Sequence, residues 1–505
     1  MRASCAVRGF PADHESRVTS GGTSRRFIVA QSPSSVGGIY KVLLYGEEYT
    51  DEPFQHLRSM RTTAWLSIFS FAVCVSAVVP LPRELWERTG IPQAEIESIL
   101  SQLPEVPGLG PSASTCTANT TIDGTWPNPT RSSSYDISKR SAFVKRSGNQ
   151  LTLLGDPFHV VGPNVYWLGL DENVIPDPSY PSKTRVLEAM GVISAMQGTA
   201  LRGHTLGISF GNPLSVEPSL DVFNENAYES IDFAILAARV YGLKILIPLV
   251  DNYNYYHGGK YQFIQWAGHP FEGVGDNITP PDVGAYFFNT SSIVDSFKRY
   301  ITHHLSHVNR YTNIALKDDP TILGWESGNE LSAVLWNDGP APPTWTSEIG
   351  QLIKSLAPNH LFFDGTYGIY EGTGQVDVKV VDVFSDHFYP PNITKLESGI
   401  ALAHGAGRGY FAGEFDWVGK SGDDLTTFLS QVKTSGAVGD AFWSLFGHDD
   451  QCCQYVEHDD GESFYYLRNE TYKARGDILV AHAKDISGKQ APAILPAVAC
   501  PQYKL

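Results

Sequence analysis

The chain has 505 residues, 42% hydrophobic and 12% aromatic, so one large domain with an extensive core is within reach. Its 54 acidic residues outnumber 37 basic ones, and the formal net charge of −17 repels a phosphate backbone, which argues against a nucleic-acid partner. Charged residues make up only 18%, which suits an extracellular protein whose ligand is polar and uncharged.

Residues 1–59 show no clear periodicity, and no fold is assigned to them. From Met60 the chain reads MRTTAWLSIFSFAVCVSAVVP: a basic residue, an apolar run, then small residues ending at Ala77. This is the layout of a secretory signal peptide over 60–77. The run is too short to span a bilayer comfortably, so no stable membrane insertion is expected. Its position at residue 60 favours translation from Met60, with residues 1–59 a gene-model artefact; an internal signal-anchor is the alternative. Residues 78–140 read as a linker or pro-segment. Within it Arg83 to Leu103 has helical spacing, and a Pro/Gly/Ser/Thr-rich stretch follows. Lys139-Arg140 is either a processing site or two exposed charges at a domain edge.

Five N-x-Ser/Thr sequons occur, at Asn119, Asn277, Asn289, Asn392 and Asn469. The six cysteines (Cys5, Cys74, Cys116, Cys452, Cys453 and Cys500) have no CxxC spacing, so a metal site is not expected. Adjacent Cys452 and Cys453 would strain a mutual bond, and each is expected to reach a different partner, Cys500 being a candidate for one. Together these features predict a secreted, extracellular, disulfide-bonded glycoprotein.

From Phe143 the texture changes, and residues 141–490 read as one catalytic domain followed by a C-terminal tail, 491–505. Candidate strands fall at 159–168, 199–204, 243–252, 321–330, 360–368, 380–390, 409–417 and 440–447. Helical stretches lie between them, such as NENAYESIDFAILAARVYG, in which Ala227, Ile231, Ala234, Ile235 and Ala238 share a face. Eight strands alternating with helices predict an α/β fold of the (β/α)₈ TIM-barrel type with an N-terminal signal and linker extension. No GxGxxG follows the first strand, which removes the main support for a dinucleotide fold.

The C-terminal ends of these strands, where such barrels carry their chemistry, are polar: Trp167, Arg202 and His204, Asp251 and Asn252, Asn329 and Glu330, Asp364, His387 and Tyr389, Glu414, Trp443. Glu330 ends the fourth strand and Glu414 the seventh, so the two face each other across the barrel mouth. Glycoside cleavage with retention needs such a pair, one carboxyl to protonate the leaving oxygen and one to attack the anomeric carbon from about 5–5.5 Å away. Asn329 is placed to hold a sugar 2-hydroxyl, Tyr389 to orient the nucleophile and Arg202 to keep it ionised. Trp443, Trp167 and Trp266 offer flat faces for pyranose rings, although an aromatic such as Trp266 is as readily core.

Residues 143–468 resemble glycoside hydrolase family 5, and within it the endo-β-1,4-mannanases. The resemblance rests on FVKRSGNQLTLLGDPFHVVGPNVYWL, LVDNYNYYHGGKYQFIQWAG, ILGWESGNEL, DHFYP, AGEF and FWSL, which occur in the family's order. It implies Glu330 as acid/base and Glu414 as nucleophile, a substrate-binding set of Trp167, Arg202, Asn252, Asn329, His387, Tyr389 and Trp443, and a polysaccharide or oligosaccharide substrate; no metal or cofactor is expected, and the enzyme is expected to be a monomer. Three positions depart from the family's pattern: Leu331 where Pro is usual, Asp251 where Asn is usual, and Pro163 before Asn164. None touches the glutamates, so mannan endo-1,4-β-mannosidase remains the leading expectation, with exo-β-mannosidase or β-glucanase next. Insertions around 250–295 are expected to close one end of a cleft if the action is exo. A carbohydrate-binding pseudoenzyme predicts a lost glutamate, and both are present. An aldolase or metallohydrolase barrel predicts a rim lysine or a His-x-His pair. Lys244 starts its strand at the opposite end, and no such pair follows the first strand.

Overall fold

Eight short runs of mostly apolar residues, buried on both faces, make the central sheet of the computed structural model: β1 (Val160–Pro163), β2 (Ala200–Arg202), β3 (Lys244–Pro248), β4 (Ile322–Glu326), β5 (Leu361–Asp364), β6 (Val383–Phe388), β7 (Gly409–Phe415) and β8 (Gly439–Phe442). Continuous apolar character is what a parallel sheet covered by helices requires. All eight fall within the runs expected from sequence, give or take a residue. The strands pair in the order β1-β8-β7-β6-β5-β4-β3-β2, each neighbour parallel. The parallel bridge Asn164↔Arg202 brings β2 back to β1, reinforced by Thr199 N to Val161 O at 2.8 Å and Val165 N to Arg202 O at 2.9 Å. The sheet therefore closes into a barrel.

The structure describes residues 16–20, 23–28, 45–48, 142–174, 177–269, 281–333, 339–449, 453–458 and 460–488. The signal-like segment 60–77, the linker 78–140 with Lys139-Arg140, the tail 491–505, the sequons at Asn119 and Asn277, and Cys5, Cys74, Cys116, Cys452 and Cys500 lie outside these residues. The chain divides into two units, Met1–Cys74 and Val75–Leu505. In the first, Ser16–Ser20, Thr23–Ile28 and Tyr45–Glu48 form an antiparallel sheet, where periodicity alone assigned no fold. Arg25 and Arg26 lie opposite Glu48 and Glu47 in its register, so no alternating apolar signal marks these strands.

In the second unit the longer helices among the described residues surround the barrel: α1 (Lys183–Ala195), α2 (Tyr228–Tyr241), α3 (Ser291–Ser306), α4 (Pro343–Leu356), α5 (Ile393–Gly405), α6 (Leu425–Thr434) and α7 (Glu470–Ser487). The face predicted for α2 is buried, and the helix stops where Gly242 takes a left-handed conformation, φ +73°. The Gly-rich connection from β5 to β6 carries only the 3-10 turn Gln375–Asp377.

Polarity changes along the barrel axis. Val160, Ala200, Leu246, Leu323, Leu361, Val383, Phe411 and Val438 form one apolar layer, joined by Val144, Leu151 and Leu153 from an antiparallel sheet of Val144–Ser147, Gln150–Leu153 and Asp156–Phe158. Those N-terminal strands plug the bottom of the barrel. Lys244 also sits at that end, donating to the carbonyls of Ala142 at 2.9 Å and Pro320 at 2.7 Å. The opposite, C-terminal end holds buried Asn164, Arg202, Glu326, Asp364 and Glu414.

Between the ends of β4 and β5 the backbones nearly touch. Gly365 N donates to Ser327 Oγ at 2.8 Å, and Leu331 N donates to Gly365 O at 2.9 Å. A Cβ on Gly365 would lie 1.7 Å from Gly328 O, so any side chain must displace the turn that carries Glu330. Gly365→Ala is expected to cost about 2–3 kcal/mol, read as a lowered denaturant midpoint at unchanged slope. An unaltered midpoint would show that the turn moves freely.

Candidate active site

Arg202, last residue of β2 and 1% exposed, connects four strands at the barrel mouth. Its Nε donates to Glu326 Oε2 at 2.7 Å, NH1 to Glu414 Oε1 at 2.7 Å and to Asn164 Oδ1 at 3.1 Å, and NH2 to Asn329 Oδ1 at 2.9 Å. Burial opposes its charge, but the two carboxylates prevail and raise its pKa. A planar guanidinium can meet several acceptors in fixed directions, which an ammonium cannot.

Glu414 lies one residue before the end of β7. Its Oε2 accepts from Tyr389 Oη at 2.8 Å, and His204 Nε2 lies 3.4 Å from Oε1. The β6–β7 register shifts between Asp386 and His387, a bulge that sets His387 opposite Glu414. Glu330 stands four residues beyond β4 with φ +51°, a left-handed conformation that non-glycine residues seldom adopt. Its Oε2 accepts from Tyr253 Oη at 2.7 Å, and its Oε1 lies 2.7 Å from His387 Nδ1, which is also 3.4 Å from Glu414 Oε2. Burial pulls the His387 pKa down to about 3. The imidazole is therefore neutral near pH 7, and its Nδ1 stands between the two carboxyls.

The two glutamates differ in electrical surroundings. Burial lifts the Glu330 carboxyl to about 7, opposed by the Tyr253 hydrogen bond and helped by Asp251. Burial raises Glu414 as well, but there His387, the Arg202 guanidinium and the Tyr389 hydrogen bond pull the other way. Of two neighbouring carboxyls, the one bonded to a cation ionises first and its charge holds the proton on the other. Glu330, His387 and Glu414 each offer one ligand atom within 4.8 Å of the others, a grouping that could hold a metal ion. Arg202, 2.7 Å from Glu414, already supplies the positive charge a divalent cation would bring.

A cleft of about 790 Å³ opens above these groups. Of the rim residues expected from sequence, His204, Asp251, Asn329, Glu330, Tyr389, Glu414 and Trp443 line it. Arg202 and His387 are buried directly behind the two glutamates. Trp443 donates from Nε1 to Asp460 Oδ2 at 2.8 Å and has one face stacked on Tyr166, with centroids 5.6 Å apart. Two expectations need correction. Trp167 is 1% exposed, donates to Leu445 O at 3.0 Å and has the Arg185 guanidinium over its ring, so no face is left for a sugar. Asn252 is fully buried, and its Oδ1 accepts from Ser332 N at 3.2 Å, which secures the segment after Glu330 away from the cleft. Trp266 packs edge-on against Phe263, and Asp364 accepts from Gln375 and Thr366; both are structural.

Sequence reasoning passed over Tyr253, Tyr166, Glu326 and the His458–Glu462 segment. Tyr253 sits in the aromatic run YNYY, and Glu326 four residues ahead of Glu330; composition signals neither role. The unusual Asp251 is accounted for: it accepts from Asn329 Nδ2 at 3.2 Å, from His257 Nε2 at 3.0 Å and from Tyr253 N at 3.0 Å.

A family model described as GH family 5 beta-mannosidase-like matches residues 141–397. Among curated proteins the chain is similar to mannan endo-1,4-beta-mannosidase 1 of Oryza sativa subsp. japonica, 31% identical over 249 residues, or 48% of this chain and 52% of that one. It is 32% identical over 242 residues to mannan endo-1,4-beta-mannosidase 7 of Arabidopsis thaliana, covering 46% and 51%. The chain thus spans about half the length of these relatives. The endo-1,4-beta-mannanase structure from Rhizomucor miehei superposes with a TM-score of 0.55 at 23% identity, over 69% of this chain and 100% of that one, a likeness of fold.

Because the Tyr253 hydroxyl favours the ionised form of Glu330, Tyr253→Phe is expected to raise the Glu330 pKa above about 7. A carbon-13 titration of labelled glutamate carboxyls reads this directly, and a lowered value would contradict the geometry.

Proposed function

This chain belongs to the β-mannosidase-like proteins of glycoside hydrolase family 5, and from that premise we propose that it is a retaining β-glycoside hydrolase acting on β-1,4-mannan or a related hemicellulose. Glu330 is the acid/base and Glu414 the nucleophile. The observation that carries this reading is the pairing of the two carboxyls: one oxygen of each lies within 4.8 Å of the other, and only Glu414 is bonded to Arg202. That spacing suits direct attack on the anomeric carbon and is too short for an interposed water, which needs carboxyls about 6.5–9.5 Å apart.

In the first step Glu330 gives its proton to the glycosidic oxygen as that bond breaks, and Glu414 bonds to the anomeric carbon. In the second, Glu330 takes a proton from water, which attacks the same carbon and releases Glu414. Trp443 supplies a stacking face for the sugar, while Asn329 and Tyr389 are placed to meet its hydroxyls and His387 fixes the acid/base. An endo action is the first reading. Exo-β-mannosidase is the second, and one feature favours it. Beside Trp443, whose ring stacks on Tyr166, Asn173 and His458 meet at 2.9 Å and Tyr166 Oη donates to Glu172 at 3.1 Å, all of them lining the cleft. These contacts join the loops after β1 and β8 into a wall where further sugars would lie. Products from manno- and gluco-configured oligosaccharides separate these readings.

Secretion as a monomeric glycoprotein belongs to the same proposal. The three described sequons, Asn289, Asn392 and Asn469, are exposed, and among the described residues no helix is long and apolar enough to cross a membrane.

Glu414→Gln is expected to abolish turnover with the fold intact. Glu330→Ala is expected to lower turnover on the order of 10²–10⁴-fold and to regain it with azide, whereas Glu330→Gln is not rescued. With a β-linked substrate, proton NMR in the first minutes should show the β-anomer first, and activity should fall on the alkaline side as Glu330 loses its proton near pH 7. An α-anomer appearing first would overturn the nucleophile assignment.

A further inference from the structure

We propose that Glu326 is a positioning residue of this site: it shares the Arg202 guanidinium with Glu414 in the free enzyme and becomes its sole charged partner while Glu414 is esterified. The inference rests on the assignment of Glu414 as nucleophile. Glu326 ends β4, is fully buried and does not line the cleft, so it cannot meet a sugar. Its Oε2 accepts from Arg202 Nε at 2.7 Å, the same distance at which NH1 reaches Glu414 Oε1. Its Oε1 has no hydrogen-bond partner among the described residues. One guanidinium thus faces two buried carboxyls.

The charge balance of the reaction gives this arrangement its purpose. Before bond cleavage Glu414 is a carboxylate and Glu330 carries a proton. Afterwards Glu414 is a neutral ester, and Glu330, having given its proton to the leaving oxygen, is the carboxylate. The total is unchanged, but the negative charge has moved from the Arg202 side of the site to the His387 and Tyr253 side. Arg202 would then be a buried cation without a charged partner, a strongly unfavourable arrangement. An ionised Glu326 removes that cost. It also competes for Arg202 in the free enzyme, so it weakens the hold on Glu414 and leaves that carboxylate more basic. Burial pushes the Glu326 carboxyl up and Glu414 and Asp364 add to the rise, while the Arg202 guanidinium at 2.7 Å opposes it and favours the anion.

The other ionisable groups facing this pair are His204 from the loop after β2, Glu330 after β4, Asp364 at the end of β5, His387 and Tyr389 from β6 and its loop, and Glu462 after β8, with Asp251 and Lys395 acting on Glu330 behind them. None of them is bonded to Arg202 as an anion.

The test uses the wild-type protein and its Glu326→Gln variant, in which the amide oxygen can still accept from Arg202 Nε. Both are treated with a 2-deoxy-2-fluoro-β-mannosyl fluoride, and the covalent adduct is followed by intact-protein mass against pH. Fluoride leaves without a proton, so the rate reports Glu414 and not Glu330. The variant is expected to trap with an acidic midpoint about one pH unit lower than wild type, since the competing anion is gone. Its plateau rate is expected to fall about tenfold, because the ester form no longer has a counter-ion for Arg202. A merely structural role would move neither the midpoint nor its direction. Should Glu326→Gln fail to fold, Glu326→Asp, which keeps the charge but withdraws it, is expected to lower the midpoint by a smaller amount. An adduct on Glu414 with a wild-type midpoint in the folded variant overturns the inference alone. No adduct on Glu414 in the wild-type protein overturns the nucleophile assignment and the inference with it.

Discussion

A buried guanidinium that must be neutralised constrains everything at the mouth of this barrel. Arg202 is almost fully enclosed and bonded to Glu326 on β4, Glu414 on β7, Asn164 beyond β1 and Asn329 beyond β4. These contacts tie the strands that close the barrel to those that carry the two cleft carboxyls, Glu330 and Glu414. Removing a buried cation from water is repaid only by close, well-aligned partners. The partners are thereby fixed in place, which is also what a catalytic carboxylate needs.

Backbone geometry provides the second constraint. Glu330 reaches the cleft because its φ is positive, and the turn around it is pinned by Gly365 against Gly328 and by Asn252 to Ser332. Left-handed backbone at a non-glycine residue is maintained only where its surroundings over-determine it. The bulge before His387 does similar work on the opposite wall, turning the ring toward both glutamates.

Charges buried away from the cleft hold its far side. Arg185 on α1 pairs with Asp171 and donates from Nε to His448 O at 3.3 Å, while Glu188 Oε2 accepts from His448 N at 2.8 Å. The loops after β1 and β8 are thus fastened to one helix. Trp167 serves as the floor under Arg185, which explains why an aromatic ring beside the first strand took no place in the cleft.

The sequence by itself determined the barrel, because eight doubly buried strands must be continuous apolar runs and the intervening helices must show a 3.6-residue period. It also determined Glu330, Glu414, Asn329, Tyr389 and Trp443 as cleft residues, since polar groups just past apolar strands have only the C-terminal rim to occupy. It could not separate Trp167 from Trp443, or Asn252 from Asn329. Each stands at a strand end, and which way such a side chain turns depends on partners far along the chain, Leu445 and Arg185 for Trp167 and Ser332 for Asn252. Only the tertiary structure decided that Tyr253 bonds Glu330 and that Glu326 and Glu414 share one arginine. Hydrogen bonds and charge sharing are set by distances of about 3 Å between atoms brought together by closure of the barrel, and no local pattern encodes them.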